Sequence, residues 1–110
     1  MSFSQRDIVF VHFPFTDLSH SKLRPALIIS SETVNRSSDF ICLQITSKEY
    51  DDGMYFSLEN DSLNIPLKLK SGIRLHKVFT VNKSQIVNKI SSLKPTAFHL
   101  VESNFKKLVF

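Results

Sequence analysis

Glycine is nearly absent from the chain: Gly53 and Gly72 are the only two in 110 residues. A glycine-rich loop that cradles phosphates is therefore excluded. One cysteine, Cys42, rules out an internal disulfide framework and fits a reducing compartment. No run of about 18 apolar residues occurs, so no transmembrane helix is expected. The first residues, Met1 to Asp7, lack the basic-then-apolar order of a secretory signal, and a cytoplasmic location is the expectation. The four histidines stand at 12, 20, 76 and 99, and no His or Cys pair has metal-ligand spacing. Neither a metal nor a cofactor is expected. No serine lies in a nucleophile-elbow pattern.

What is present suits one compact domain spanning residues 1–110. Hydrophobic residues make up 42%, ten of them Phe, which is enough for a core and argues against disorder. The net charge is +4, unevenly spread. From Asn60 onward nine Lys/Arg face two acids; before it five face eight. A basic half suits a polyanion, and a solvated lysine surface accounts for it as well.

The apolar pattern is mostly of period two. Asp7 to Phe13 reads as a strand apolar on both faces, ended by Pro14. Thr16 to Leu23 is polar and reads as an exposed loop. Pro25 to Ser30 is a second strand entered through its proline, and Asn35 to Ser38 is a turn. Asp39 to Ser47 is a third strand, with Ile41, Leu43 and Ile45 opposite Phe40, Cys42, Gln44 and Thr46. After a turn at Asp51-Asp52-Gly53, a short strand carries Met54, Phe56 and Leu58. Ile73 to Val81 places Ile73, Leu75, Phe79 and Val81 on one side, and Val87 to Leu93 forms a further strand. The tail changes period: Ala97, Phe98, Val101, Phe105 and Leu108 predict an amphipathic helix over Thr96 to Leu108, with Pro95 at or before its first turn. Short strands closed by one helix imply a small barrel. Strands apolar on both faces call for a second covering surface, which a symmetric dimer would supply.

Two segments carry chemistry. In Lys22-Leu23-Arg24-Pro25 the proline keeps Arg24 extended, launching its guanidinium beside the polar loop. Arg24 fits either a phosphate-binding role or a surface ion pair with Asp17 or Asp7. In Gln44-Ile45-Thr46-Ser47-Lys48 two hydroxyls and a lysine end a buried strand, a place where Thr and Ser also serve as simple caps. Asp51 and Asp52 read as solvated turn residues.

The succession Arg6-Asp7-Ile8-Val9-Phe10-Val11, Leu23-Arg24-Pro25-Ala26-Leu27-Ile28-Ile29-Ser30, Gln44-Ile45-Thr46-Ser47 and Ser71-Gly72-Ile73-Arg74-Leu75-His76-Lys77-Val78-Phe79-Thr80-Val81-Asn82-Lys83 resembles the MazF/PemK family of toxins across nearly the whole chain. The resemblance implies a mainly β, SH3-like barrel of the CcdB/MazF type with a C-terminal helix. It implies a homodimer that cleaves single-stranded RNA at selected sequences without a metal, and an antitoxin whose disordered tail occupies the RNA groove. It places the family's arginine on Arg24 and its threonine on Thr46 as catalytic residues. Cleavage by the RNA's own 2′-hydroxyl needs a phosphorane to be held: a guanidinium fork and a hydroxyl suit that charge. Lys22, Ser47, Lys48 and Arg74 are candidate substrate contacts, and Phe15 a stacking face for an unpaired base. The chain departs from the pattern at Arg6, where the family has Gly, at His76-Lys77, and at Asn82. His76 reads as a hydrogen-bonded structural histidine. The alternatives are a non-catalytic toxin like the gyrase poison CcdB, and a catalytically dead binding module. The Arg-Pro strand entrance together with Thr-Ser favours the nuclease.

Overall fold

The computed structural model describes residues 2–13 and 22–110. Six strands form one antiparallel sheet: β1 (Asp7–His12), β2 (Leu23–Ile28), β3 (Asp39–Thr46), β4 (Tyr55–Leu58), β5 (Ser71–Asn82) and β6 (Ile86–Ser92). Their order is β4-β5-β3-β2-β1-β6. A single helical turn, α1 (Glu32–Asn35), stands just before the expected turn, and α2 (Pro95–Val109) closes the chain. Proline occupies the first turn of α2, where its missing N–H costs no hydrogen bond. The most loop-like segment of the sequence reading, Thr16 to Leu23, lies almost wholly outside the described residues.

The sheet curls into an SH3-like barrel that does not close. Its edge strands β4 and β6 are joined across the seam by the Leu63–Leu93 bridge, with Asn64 N–H donating to Ser92 O at 3.0 Å. Arg6, standing where a glycine is usual, adopts φ 80. Hydrogen bonds hold it there: its N–H donates to Ile28 O at 2.9 Å and its Nη1 to Leu93 O at 3.0 Å.

Curling gives the sheet two apolar sides, each filled. One core gathers Ile8, Leu27, Leu43, Ile45 and Ile73 beneath Ala97 and Val101 of α2. The other gathers Val9, Val11, Ala26, Ile28, Cys42 and Val81 with Phe3, Phe40 and Ile86. Every member of the second cluster is 8% exposed or less within the single chain. The double-faced strands therefore do not require a second copy to cover them, which corrects the expectation from sequence. Cys42 is fully buried, and that burial pushes its thiol up to about 12.

A second correction concerns β5. Between the pairs Leu43–Val78 and Gln44–Arg74 the register jumps, leaving Leu75, His76 and Lys77 without partners in β3. Three extra residues are an odd number, so the facing of the strand inverts across the irregularity. Ile73 and Leu75 consequently fill the first core while Phe79 and Val81 pack in the second, although their spacing predicts one side.

Candidate RNA-binding groove

The groove arises where β2 and β3 part. β2 pairs with β1 along its length, matching Pro25 to Phe10 and Arg24 to Val11, so the proline is the third residue of the strand and not its first. Pairing with β3 begins only at Ala26. Proline has no N–H to extend that ladder, and the strand ends splay past it. Arg24 and Pro25 from one end and Ile45, Thr46 and Ser47 from the other border a cavity of about 640 Å³.

Arg24 is exposed and makes no ion pair among the described residues. Asp7, one partner considered for it, instead pairs with Lys89 at 3.1 Å. Thr46 is partly exposed, and its Oγ1 accepts the N–H of Lys48 at 3.1 Å. That bond occupies an oxygen lone pair and leaves the hydroxyl proton to be donated outward, towards an anion. Ser47 stands exposed beside it. The guanidinium and the two hydroxyls thus border one concave surface. Among the described residues, none that lines it is a carboxylate.

The far wall was not anticipated. It comes from the segment after β4, where Ile65, Leu69 and Lys68 face the cavity. Ile65 is 59% exposed and Leu69 66%, so the two give this wall an open apolar surface. The signal lay in the alternation Leu63, Ile65, Leu67, Leu69, a strand-like pattern that Pro66 keeps from pairing.

The other candidates are dispersed. Lys22 is exposed next to β2, and its carbonyl accepts from Phe13 N–H at 3.2 Å. Lys48 is exposed, with Nζ 5.1 Å from the centre of the Tyr50 ring. Phe15 lies outside the described residues. Arg74 is not a free phosphate contact. Its side chain is 7% exposed and its two terminal nitrogens donate to Asp52 at 3.1 and 2.7 Å, while its Cζ stacks 3.7 Å from the Tyr50 ring centre. Asp52 is correspondingly no idle turn residue: it anchors the loop after β3 to β5, and Gly53 supplies the turn with φ 78. His76 lies exposed in the β5 irregularity, makes no side-chain hydrogen bond among the described residues and does not line the groove. Among the described residues no group of three His, Cys, Asp or Glu comes close enough to hold a metal ion, and no helix is long and apolar enough to cross a membrane.

The hydrogen bonds from Arg74 hold the Asp52 carboxyl at about 2, below its usual 3.8. A carboxylate with a lowered pKa contributes stability that is complete above the unfolded value and is lost as pH falls through the folded one. Thermal melts of the wild type should therefore weaken between about pH 4 and pH 2 more steeply than those of Asp52→Asn, which has no charge to lose there. Parallel acid profiles would refute the pairing.

Residues 4–109 match the family of PemK-like, MazF-like toxins of type II toxin–antitoxin systems. No curated protein matches the sequence significantly. Among solved structures, a MazE–MazF complex from Deinococcus radiodurans aligns with TM-score 0.80 at 13% identity, covering 99% of this chain and 97% of its counterpart. An endoribonuclease in complex with its cognate antitoxin, from a mycobacterial species, aligns with TM-score 0.75 at 14% identity over 96% and 93% of the two chains. The Mycobacterium tuberculosis toxin MazF-mt6 aligns with TM-score 0.70 at 16% identity over 94% and 92%. At such identities these neighbours speak for the fold, and the family match speaks for descent. The chain belongs to the PemK-like, MazF-like toxins of type II toxin–antitoxin systems.

Proposed function

We propose that this toxin is a metal-independent endoribonuclease that cuts single-stranded RNA at selected sequences, using the substrate's 2′-hydroxyl as nucleophile. The observation that carries the reading is that Arg24, Thr46 and Ser47 border one groove in which no described lining residue is a carboxylate. Attack of the 2′-oxygen on the adjacent phosphorus, its proton passing to water, forms a phosphorane. Expulsion of the 5′-oxygen, which takes up a proton from water, leaves a 2′,3′-cyclic phosphate and a 5′-hydroxyl. The added negative charge builds on the non-bridging oxygens. Arg24 grips those oxygens through its planar fork, and Thr46 donates its free hydroxyl proton to one of them. Ser47, Lys22 and Lys48 hold flanking phosphates. The apolar wall at Ile65 and Leu69 receives bases, which favours unpaired strands over a duplex whose bases are stacked inside.

The functional unit is proposed to be a homodimer acting in the cytoplasm. A cognate antitoxin is proposed to silence it by filling the same groove; two of the structural neighbours are complexes with an antitoxin, which supports a partner of that kind.

Purified chain incubated with a long single-stranded RNA in EDTA should cut at a few short sequences and leave 2′,3′-cyclic phosphate ends. Thr46→Val keeps the shape and removes the donor, so the rate should fall about 10- to 100-fold, the worth of one hydrogen bond to a charged group. Cleavage that EDTA abolishes, or a Thr46→Val rate equal to wild type, would defeat the mechanism.

A further inference from the structure

Beside Thr46 lies an aromatic residue that the groove alone does not account for. Thr46 pairs with Gly72 of β5, and Gly72 pairs in turn with Ser57 of β4. Tyr55, two residues before Ser57 on the same face, lays its side chain across Gly72: a Cβ there would overlap Cζ, Cε1 and Oη of the phenol. Cross-strand partners in an antiparallel pair carry their Cβ positions about 5 Å apart. The phenol end of Tyr55 fills the place of the missing Gly72 Cβ, on the face of the sheet that also carries the Thr46 side chain. Glycine at 72 is what permits this reach.

The neighbours of Tyr55 divide the labour. Tyr50, its ring centre 6.3 Å away, is already covered by the Arg74 guanidinium and approached by Lys48. Tyr55 carries no stacked cation among the described residues and is only partly buried. The Arg74–Asp52 pair ties the loop between β3 and β4 to β5. Burial, and with it the charges of Glu49 and Glu59, which both bear on the Tyr55 hydroxyl, push its pKa up. Acids there repel a phosphate and accept hydrogen bonds from a base's N–H groups, whereas Arg24 and Lys68 attract the backbone.

We propose that Tyr55, laid over Gly72 beside Thr46, is the stacking platform for the unpaired nucleobase next to the scissile phosphate and sets sequence preference at that position. The assignment rests on the endoribonuclease reading and adds to it a residue outside the groove's phosphate-holding set. Base–aromatic stacking supplies affinity, and carboxylates at its rim select among exocyclic groups.

The composition provides a direct probe. The chain has two tyrosines and no tryptophan, so Tyr50→Phe leaves Tyr55 as the sole tyrosine reporter. A mixed-sequence 2′-O-methyl RNA, which cannot be cut through its own 2′-oxygen, is the ligand. Its binding should quench the emission of Tyr50→Phe. Tyr55→Leu should weaken binding roughly 5- to 100-fold, Tyr55→Phe should bind like wild type, and Gly72→Ala should reproduce the Tyr55→Leu loss by dislodging an intact ring. On cleavable RNA, sequenced fragment ends of Tyr55→Leu should show relaxed preference at one position flanking the cut, with cyclic phosphate ends retained. Saturating binding without quenching overturns the platform, as does Tyr55→Leu with wild-type affinity and cut sites, or Tyr55→Phe as weak as Tyr55→Leu. Circular dichroism melts separate these results from unfolding. A wild type that neither binds nor cuts RNA would instead overturn the endoribonuclease reading, and the platform with it.

Discussion

Arg24→Ala should lower the rate of RNA cleavage by about 10²- to 10³-fold while leaving the fold intact, the loss seen when one donor to a developing oxyanion is removed. The expectation follows from where the side chain sits. Arg24 is exposed, unpaired among the described residues and outside both cores, so truncating it disturbs no packing. Arg24→Lys is the informative companion. Lysine keeps the charge but presents a point donor in place of a planar fork, and it should restore only a small part of the rate. Single-turnover cleavage with each variant, alongside urea denaturation, reads both quantities. A lysine variant as fast as wild type would show that charge alone suffices. An alanine variant as fast as wild type would remove Arg24 from the chemistry altogether.

Leu27→Ala should reduce stability by about 3 kcal/mol, within the 2–5 kcal/mol range for emptying a well-packed leucine site. Leu27 is fully buried in the first core, on the strand that also carries Arg24. Such a loss is a large share of the roughly 5–15 kcal/mol that holds a domain of this size together. Leu69→Ala provides the contrast. Its side chain is 66% exposed, so stability should change by no more than about 0.5 kcal/mol. Affinity for RNA should nonetheless drop, because Leu69 forms part of the groove wall. Urea midpoints for the two variants decide the matter; equal destabilisation would mean that the apolar wall is structural.

The sequence pattern reveals most of this architecture, and its failures have identifiable causes. Alternation at Leu43 and Ile45 against Phe40 and Cys42 marks the two sides of β3, because the extra residues opposite Leu43 and Gln44 lie in β5 and leave β3 itself unbroken. The tail from Ala97 to Leu108 shows the helix, since only one of its faces is buried. Regular spacing could not foresee the inversion in β5, where Leu75, His76 and Lys77 bulge out and no glycine or proline announces it. The Arg74–Asp52 pair was equally hidden: an aspartate beside a turn glycine looks solvated until folding brings an arginine from 22 residues away. Arg24 and Thr46 stand out first by residue type and then by family likeness, and they border one cavity because the proline stops one ladder short. The reach of Tyr55 is not legible in the sequence, because it depends on Gly72, which only the pairing of β4 with β5 brings beside it.

Cys42 is the only thiol in the chain, and the second core encloses it completely. A sulfur so protonated and so sheltered offers nothing to peroxide, to glutathione or to an alkylating reagent. Oxidative stress therefore has no covalent handle of this kind on the folded molecule. A cysteine introduced elsewhere would be the one site a maleimide dye could find.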